Sequence, residues 1–340
     1  MKRVFRNDLE RSDWLGQLES LLNEGFSLSD SLQLLGSYQS GAKKEWSISL
    51  YESLLKGDDF SNHLTSGGFP KDVISYILLA EKYGELKEGI KNGALMLKMK
   101  YEMLMKGRKM LNYPLFLFGG LLIMASILSE GVFPQFMVFF NSMNHELPWI
   151  TRFIIFILSY VRLPFFLILV TTIFFTILLF KKTSIKKRIR FFIRLPYIRK
   201  FTKTLLTYYF VSQLSPLLKN NMSLFHSLST LQHHSKMEFI KMEAKEISLQ
   251  MSEGNSFSES VQKRNYYEPQ FHGMITLGEA KGMMGEELER YSNFLLKQHF
   301  EKSQKLLVLL QAIIYGVITF IVLVLFLSMM LPIFNIIDGL

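Results

Sequence analysis

The sequence predicts an all-α integral membrane protein. Two repeated cytoplasmic helical-bundle domains, of about six helices each, are expected to alternate with three transmembrane helices. Three observations carry that expectation. Half of the 340 residues are hydrophobic although a fifth are charged, so charge and apolar surface must be segregated along the chain. Three apolar runs, at 111–129, 163–180 and 306–334, are each long enough to cross a hydrocarbon layer of about 30 Å at about 1.5 Å per helical residue. Finally, the stretch ISYILLAEKYGELKEGI at 74–90 recurs in outline as GMITLGEAKGMMGEEL at 273–288, with Glu81 and Gly84 in register with Glu279 and Gly282. Nowhere does the sustained apolar/polar alternation of a half-buried strand occur.

Residues 1–13 are polar and basic without an apolar h-region, which argues against a secretory signal and is expected to form an N-terminal tail. Trp14, Leu15, Leu18, Leu21 and Leu22 then share one helix face. Gly25 can take the left-handed conformation that stops this helix. Ser27 is placed to cap the next one, with Asp30 at its positive end, and Leu28, Leu32 and Leu35 continue the stripe. Further helices are expected near 43–56, 60–66, 70–83 and 86–106, punctuated by Gly57, Gly67-Gly68-Phe69-Pro70 and Gly84. These make a first cytoplasmic domain over 14–108.

The first crossing is expected at 111–129, where Pro114 and Gly119-Gly120 are tolerable. Residues 130–150 contain no Lys or Arg and are expected as an extracytoplasmic linker. Arg162 and Pro164 divide the next apolar stretch, which places the second crossing at 163–180. A strongly basic juxtamembrane segment follows at 181–203, including Lys181, Lys182, Lys186, Lys187, Arg188 and Arg190. Cation-rich flanks on one side and a cation-free linker on the other put both helical domains in the cytoplasm and the C-terminus outside. The net charge of +10 is then an orientation determinant with lipid headgroup contact.

Residues 204–305 repeat the first domain. Gln213-Leu214 and Leu217-Leu218 match Gln17-Leu18 and Leu21-Leu22, and Ser223-Leu224 matches Ser27-Leu28. Asn221 is expected to take the place of Gly25, and Ser256 with Glu259 to form a capping box. Pro216, at the place of Ser20, is expected to kink the helix it sits in. The third apolar run, 306–334, echoes Phe133-Pro134-x-Phe136 as Leu331-Pro332-x-Phe334.

Chemistry-bearing patterns are few. The chain has no cysteine, which excludes disulfides, zinc ribbons and thiol nucleophiles. Neither Gly36–Gly41 nor Gly84–Gly89 is followed by the Lys-Ser/Thr of a phosphate loop, so ATP hydrolysis is not expected. His226, His233 and His234 could share a helix face, but solvated positions account for them. Asp58-Asp59 suits a helix start better than a cation site, and Glu286, Glu287 and Glu289 suit a helix N-terminus. No catalytic residue, cofactor or metal site is expected. The repeated Glu-x-x-Gly has a bland reading, a tight turn whose glutamate caps or pairs locally, and a sharper one, a docking surface for a partner.

Taken together, the repeats, spans and motifs resemble the type II secretion system F domain family, the inner-membrane platform proteins GspF, PilC and ComGB. The family's Gly-Glu-x-x-Gly-x-Leu signature stands here as Gly278-Glu279-Ala280-Lys281-Gly282-Met283-Met284. In the first copy it is Ala80-Glu81-Lys82-Tyr83-Gly84-Glu85-Leu86. Ala80 and Met284 depart from the pattern. The resemblance covers residues 14–337 and is nearest the competence pseudopilus branch. It implies a non-enzymatic homo-oligomer in the cell membrane, engaged from below by a hexameric cytoplasmic assembly ATPase. Major and minor pilin-like subunits would be lifted from the bilayer into a pseudopilus serving DNA uptake, with no direct nucleic-acid contact. Partner docking would fall to Glu81, Gly84, Gly278, Glu279 and Gly282. Competing readings are a small membrane transporter, for which the spans hold almost no polar residues, a membrane-anchored enzyme, and a membrane-anchored nucleic-acid-binding protein using 181–203.

Overall fold

The computed structural model describes residues 4–142 and 183–338, with 152, 153, 156, 171, 172, 174–176 and 178 between them. The expected crossing at 163–180 lies mostly outside the described residues, as do Arg162, Pro164 and the pair Lys181 and Lys182. All regular structure among the described residues is helical. The first helices are α1 (Asp8–Asn23), α2 (Leu28–Tyr38), α3 (Ala42–Leu55), α4 (Phe60–His63), α5 (Lys71–Lys82) and α6 (Leu86–Ile127). A π-helical turn, Leu128–Val132, leads into α7 (Phe133–Ser142). The chain then gives α8 (Ile185–Arg194), α9 (Pro196–Lys219), α10 (Leu224–His234), α11 (Glu238–Ser252), α12 (Phe257–Gln262), α13 (Gln270–Lys281) and α14 (Met284–Asp338). Two compact units result. One holds the chain up to Leu104 together with Ile185–Ser303, and the other holds the described remainder.

Turn chemistry in the first unit follows the local residues. Gly25 (φ +96°) ends α1, and Asn221 (φ +57°) occupies the matching turn before α10. Ser27 accepts from Asp30 N at 3.1 Å, and Ser256 and Glu259 form the full capping box of α12. The N-terminal tail expected over 1–13 is instead built into the fold over its described residues, 4–13. α1 starts at Asp8, capped by Asn7, and Phe5 is buried with its ring edge-on to Trp14, Trp46 and Phe69. One aromatic among polar residues was enough to order the segment, because it completes a cluster of rings worth about 0.5–1.5 kcal/mol per pair beyond area burial.

The position of α5 explains why both repeats lie in one unit. Every residue from Val73 to Ala80 is buried, so this helix is enclosed on all sides. Val73, Ile74 and Ile77 pack with Trp14, Leu18 and Leu50 in the core of the first repeat. Leu78 and Leu79 instead pack with Val211, Leu214 and Leu231 in the core of the second. Between these faces Ser75 Oγ donates to Gln213 Oε1 at 2.9 Å, Ser235 Oγ donates to the same oxygen at 2.8 Å, and Lys236 N donates to Ser75 Oγ at 3.0 Å. The polar groups carried into this seam therefore have partners, as burial requires.

α6 differs from expectation in length. The expected helix at 86–106 and the expected crossing at 111–129 form one helix, unbroken from Leu86 to Ile127. No proline or turn dipeptide stands at 106–111, and passage from charged to apolar residues does not itself end a helix. The described part of the expected linker, 130–142, is also helical. Pro134 has no amide for the Glu130 carbonyl, and the widened turn lies just before it. In the second unit Leu128, Phe133 and Leu325 are buried together, and the Tyr113 and Tyr315 rings meet at 6.1 Å. Leu115, Phe116, Ile123, Val308 and Phe320 are each at least 65% exposed. Helices apolar on their outside suit a lipid surround, and among the described residues two helices are long and apolar enough to cross a membrane.

His299 on α14 is largely buried against Phe201, with ring centroids 4.1 Å apart, and its Nδ1 has no partner among the described residues. Burial, with Lys302 adding repulsion, holds its pKa down at about 4. The unfolded chain therefore takes up this proton first as pH falls from about 6.5, and up to about 3 kcal/mol of stability is lost by pH 4. His299→Phe is expected to flatten that part of the acid-unfolding curve, followed by tryptophan fluorescence in detergent. An unchanged curve would show that other groups set it.

Candidate functional site

The two Glu-x-x-Gly turns share a backbone and differ in what the glutamate does. Gly84 (φ +83°) and Gly282 (φ +65°) both adopt the left-handed conformation. In each turn the next amide reaches back to close the helix end, Glu85 N to Ala80 O at 2.9 Å and Met283 N to Gly278 O at 3.1 Å. The glycine before the glutamate is needed only in the second copy. A Cβ on Gly278 would stand 2.8 Å from Met284 Cα, whereas Ala80 is accommodated by Gly89, whose own Cβ would stand 2.4 Å from Ala80 Cβ. The small residue has moved from one side of the contact to the other.

Glu81 is a structural cap. Its carboxylate accepts from Phe60 N at 2.6 Å and Ser61 N at 2.9 Å, closing the N-terminus of α4. It is needed there because Asp59, the N-cap residue, makes no cap hydrogen bond and instead accepts from Asn62 Nδ2 at 3.0 Å. In the second copy Ser256 and Glu259 occupy these positions and cap α12 by themselves. Glu279 is thereby released. Its side chain is exposed and forms no hydrogen bond or ion pair with a described residue.

Gly278, Glu279 and Gly282 line an open groove of about 390 Å³, together with Met222, Met283 and Glu286. Its floor is narrow because α14 starts hard against the end of α9: a Cβ on Gly285 would stand 2.4 Å from Lys219 N. Met283 is 44% exposed, and Phe225, close in sequence to the groove residue Met222, is 56% exposed. Flexible methionines beside the unpaired carboxylate of Glu279 suit an adaptable protein-binding surface, while Glu286 is held by Arg290 at 3.4 Å. Glu81 and Gly84 do not line this groove. The one signal for the groove in the sequence is that three methionines, Met274, Met283 and Met284, crowd the motif.

The basic residues separate as well. Lys186 pairs with Glu246, Arg188 is half-buried, and Lys187 and Arg190 are exposed. Arg194, one turn beyond Arg190 on α8, was not singled out and lines the same recess as Arg190. Of the histidines, His233 Nδ1 lies 2.8 Å from Ser229 O and His234 Nδ1 lies 3.4 Å from Lys82 Nζ. Among the described residues no three His, Asp or Glu side chains converge to hold a metal ion.

Comparison with known proteins agrees with this duplicated layout. The family model for type II secretion system (T2SS) protein F matches the chain twice, over residues 14–134 and 210–332. ComG operon protein 2 of Bacillus subtilis (strain 168) is 29% identical over 92% of this chain and 97% of its own length. Its homolog in Halalkalibacterium halodurans is 27% identical over 94% of this chain and all of its own. The type IV pilus assembly protein PilC of Thermus thermophilus is 23% identical over 95% of this chain and 82% of its own. With both repeats matched over most of their length, the chain belongs to the type II secretion system protein F family.

Proposed function

We propose that the chain is the membrane platform of a type II secretion or type IV pilus-like machine, working in competence. It crosses the membrane at 111–129, 163–180 and 306–334, with the helical domains 14–108 and 204–305 in the cytoplasm and the C-terminus outside. A hexameric assembly ATPase docks on the cytoplasmic unit, and pilin-like subunits are raised from the bilayer into a pseudopilus for DNA uptake. The chain itself hydrolyses nothing. The family relationship and the names of the relatives support this reading. The observation that carries the docking site is the groove around Glu279, whose carboxylate is uncommitted while its duplicate Glu81 is fixed in a cap.

Because the chain lacks cysteine, one introduced thiol reports one place. Met283→Cys in the groove is expected to cross-link to the cognate ATPase in membranes, and Tyr38→Cys, which is 84% exposed in the first repeat, is expected not to. Equal cross-linking from both positions, or none from Met283→Cys, would count against the groove as the docking surface.

A further inference from the structure

The structure holds a second site, on the basic helix α8. Ile185, Ile189 and Ile193 of that helix pack into the core of the first unit, so its apolar face is not free for lipid. Lys187, Arg190, Phe191 and Arg194 face outward. Between α8, Glu246 on α11 and the loop joining α12 to α13 lies a recess of about 450 Å³. Lys186, at its rim, is paired with Glu246. Arg190 and Arg194 also line the recess, and neither has a hydrogen bond or ion pair with a described residue. Tyr266 forms a wall, its hydroxyl donating to Glu243 at 2.5 Å, and Asn265 beside it, exposed, has no side-chain hydrogen bond to a described residue. Three cations against one carboxylate leave the recess with an excess of positive charge.

We propose that this recess binds the phosphodiester headgroup of an anionic phospholipid. Arg190 and Arg194 hold the phosphate, and Asn265 meets the hydroxyls beyond it. Guanidinium forks match phosphate oxygens two at a time, and their strength grows in a partly enclosed site. The volume suits one headgroup rather than a nucleic-acid strand. Position favours a lipid too. Residues 181–184 alone separate α8 from the apolar run 163–180, and four extended residues reach at most about 14 Å. Phe191 and Leu195, 50% and 37% exposed, stand beside the arginines, and this mixture of aromatic, aliphatic and cationic side chains is the one found at a bilayer interface. The inference rests on the reading of 163–180 as a membrane crossing.

The test uses the full chain in neutral detergent, its thermal midpoint followed by tryptophan fluorescence. Dioctanoyl phosphatidylglycerol is expected to raise the midpoint, because a ligand of the folded state stabilises it. Dioctanoyl phosphatidylcholine and glycerol 3-phosphate at the same concentrations are expected to leave it unchanged. The double variant R190Q/R194Q is expected to weaken the phosphatidylglycerol response roughly tenfold or more, one lost charge-assisted contact being worth about that factor. K187Q, outward on the same helix but outside the recess, is expected to keep it. All three side chains are exposed and the buried isoleucines are untouched, so folding is not at stake. An equal rise with glycerol 3-phosphate would make the ligand a free phosphate ester and overturn the lipid assignment. A full response in R190Q/R194Q, or an equal loss in K187Q, would overturn the site in favour of diffuse attraction. Flotation of the wild-type chain with membranes separates the two levels. A chain that floats but does not respond to phosphatidylglycerol loses this inference alone, and one that does not float loses the membrane reading with it.

Discussion

Arg264→Leu is expected to lower the stability of the first unit by about 3–5 kcal/mol, the usual cost of removing one partner from a buried ion pair. Glu243 is fully buried, and its carboxylate accepts from Arg264 Nε at 2.8 Å, Tyr267 OH at 3.0 Å and Tyr266 OH at 2.5 Å. Arg264 in turn donates to Gln250 Oε1 at 2.9 Å and to the Ser260 carbonyl. Burial pushes the Glu243 carboxyl up, against the pull of the tyrosine hydroxyls and the guanidinium. Without Arg264 the carboxylate must protonate or remain charged where water cannot reach it, and Gln250 and Ser260 lose their donor. The double variant E243L/R264M removes both charges, and it is expected to unfold at a higher temperature than Arg264→Leu alone. Thermal midpoints in detergent decide this. A single variant as stable as wild type would mean that the pair is not sealed from solvent.

This network was not visible in the sequence, where Glu243 and Arg264 sit in separate helical segments with no shared motif. What could be read was the chemistry that acts over three or four residues. Asn221 could be assigned to the turn of Gly25, and Ser256 to its capping box with Glu259, because backbone dihedral freedom and cap geometry are local. The role of Glu81 could not be read. Its partners Phe60 and Ser61 lie about twenty residues away, and the need for it arises only because Asp59 is engaged by Asn62. The same holds for α5. Its run of buried residues is continuous in the sequence, but only tertiary packing makes it the seam between repeats. The end of α6 is illegible for a different reason: hydropathy marks where lipid would begin, and a helix does not stop at that boundary. Phe5 was lost in a basic segment because composition averages over single anchors.

The two duplicated glutamates provide the sharpest functional contrast. Glu81→Ala is expected to destabilise the chain by about 2 kcal/mol, since two amides at the start of α4 lose a charged acceptor. Glu279→Ala is expected to change stability by less than about 0.5 kcal/mol, as for an exposed side chain without partners. Filament assembly is expected to follow the opposite order. If the groove around Glu279 receives the partner, Glu279→Ala lowers pseudopilus assembly by roughly tenfold or more, the effect of one interface anchor, while the protein stays in the membrane at its normal level. Glu81→Ala lowers assembly only as far as it lowers the amount of folded protein, so a growth temperature well below its midpoint restores function. The measurements are membrane abundance, thermal midpoint in detergent and surface filaments for each variant at two temperatures. If Glu279→Ala shares the low midpoint and the temperature rescue of Glu81→Ala, the second glutamate is also a structural residue. If Glu279→Ala assembles filaments at the wild-type level, the partner docks elsewhere on the cytoplasmic unit. Lost assembly at an unchanged midpoint, with no recovery on cooling, is the outcome that a released duplicate of a capping residue requires.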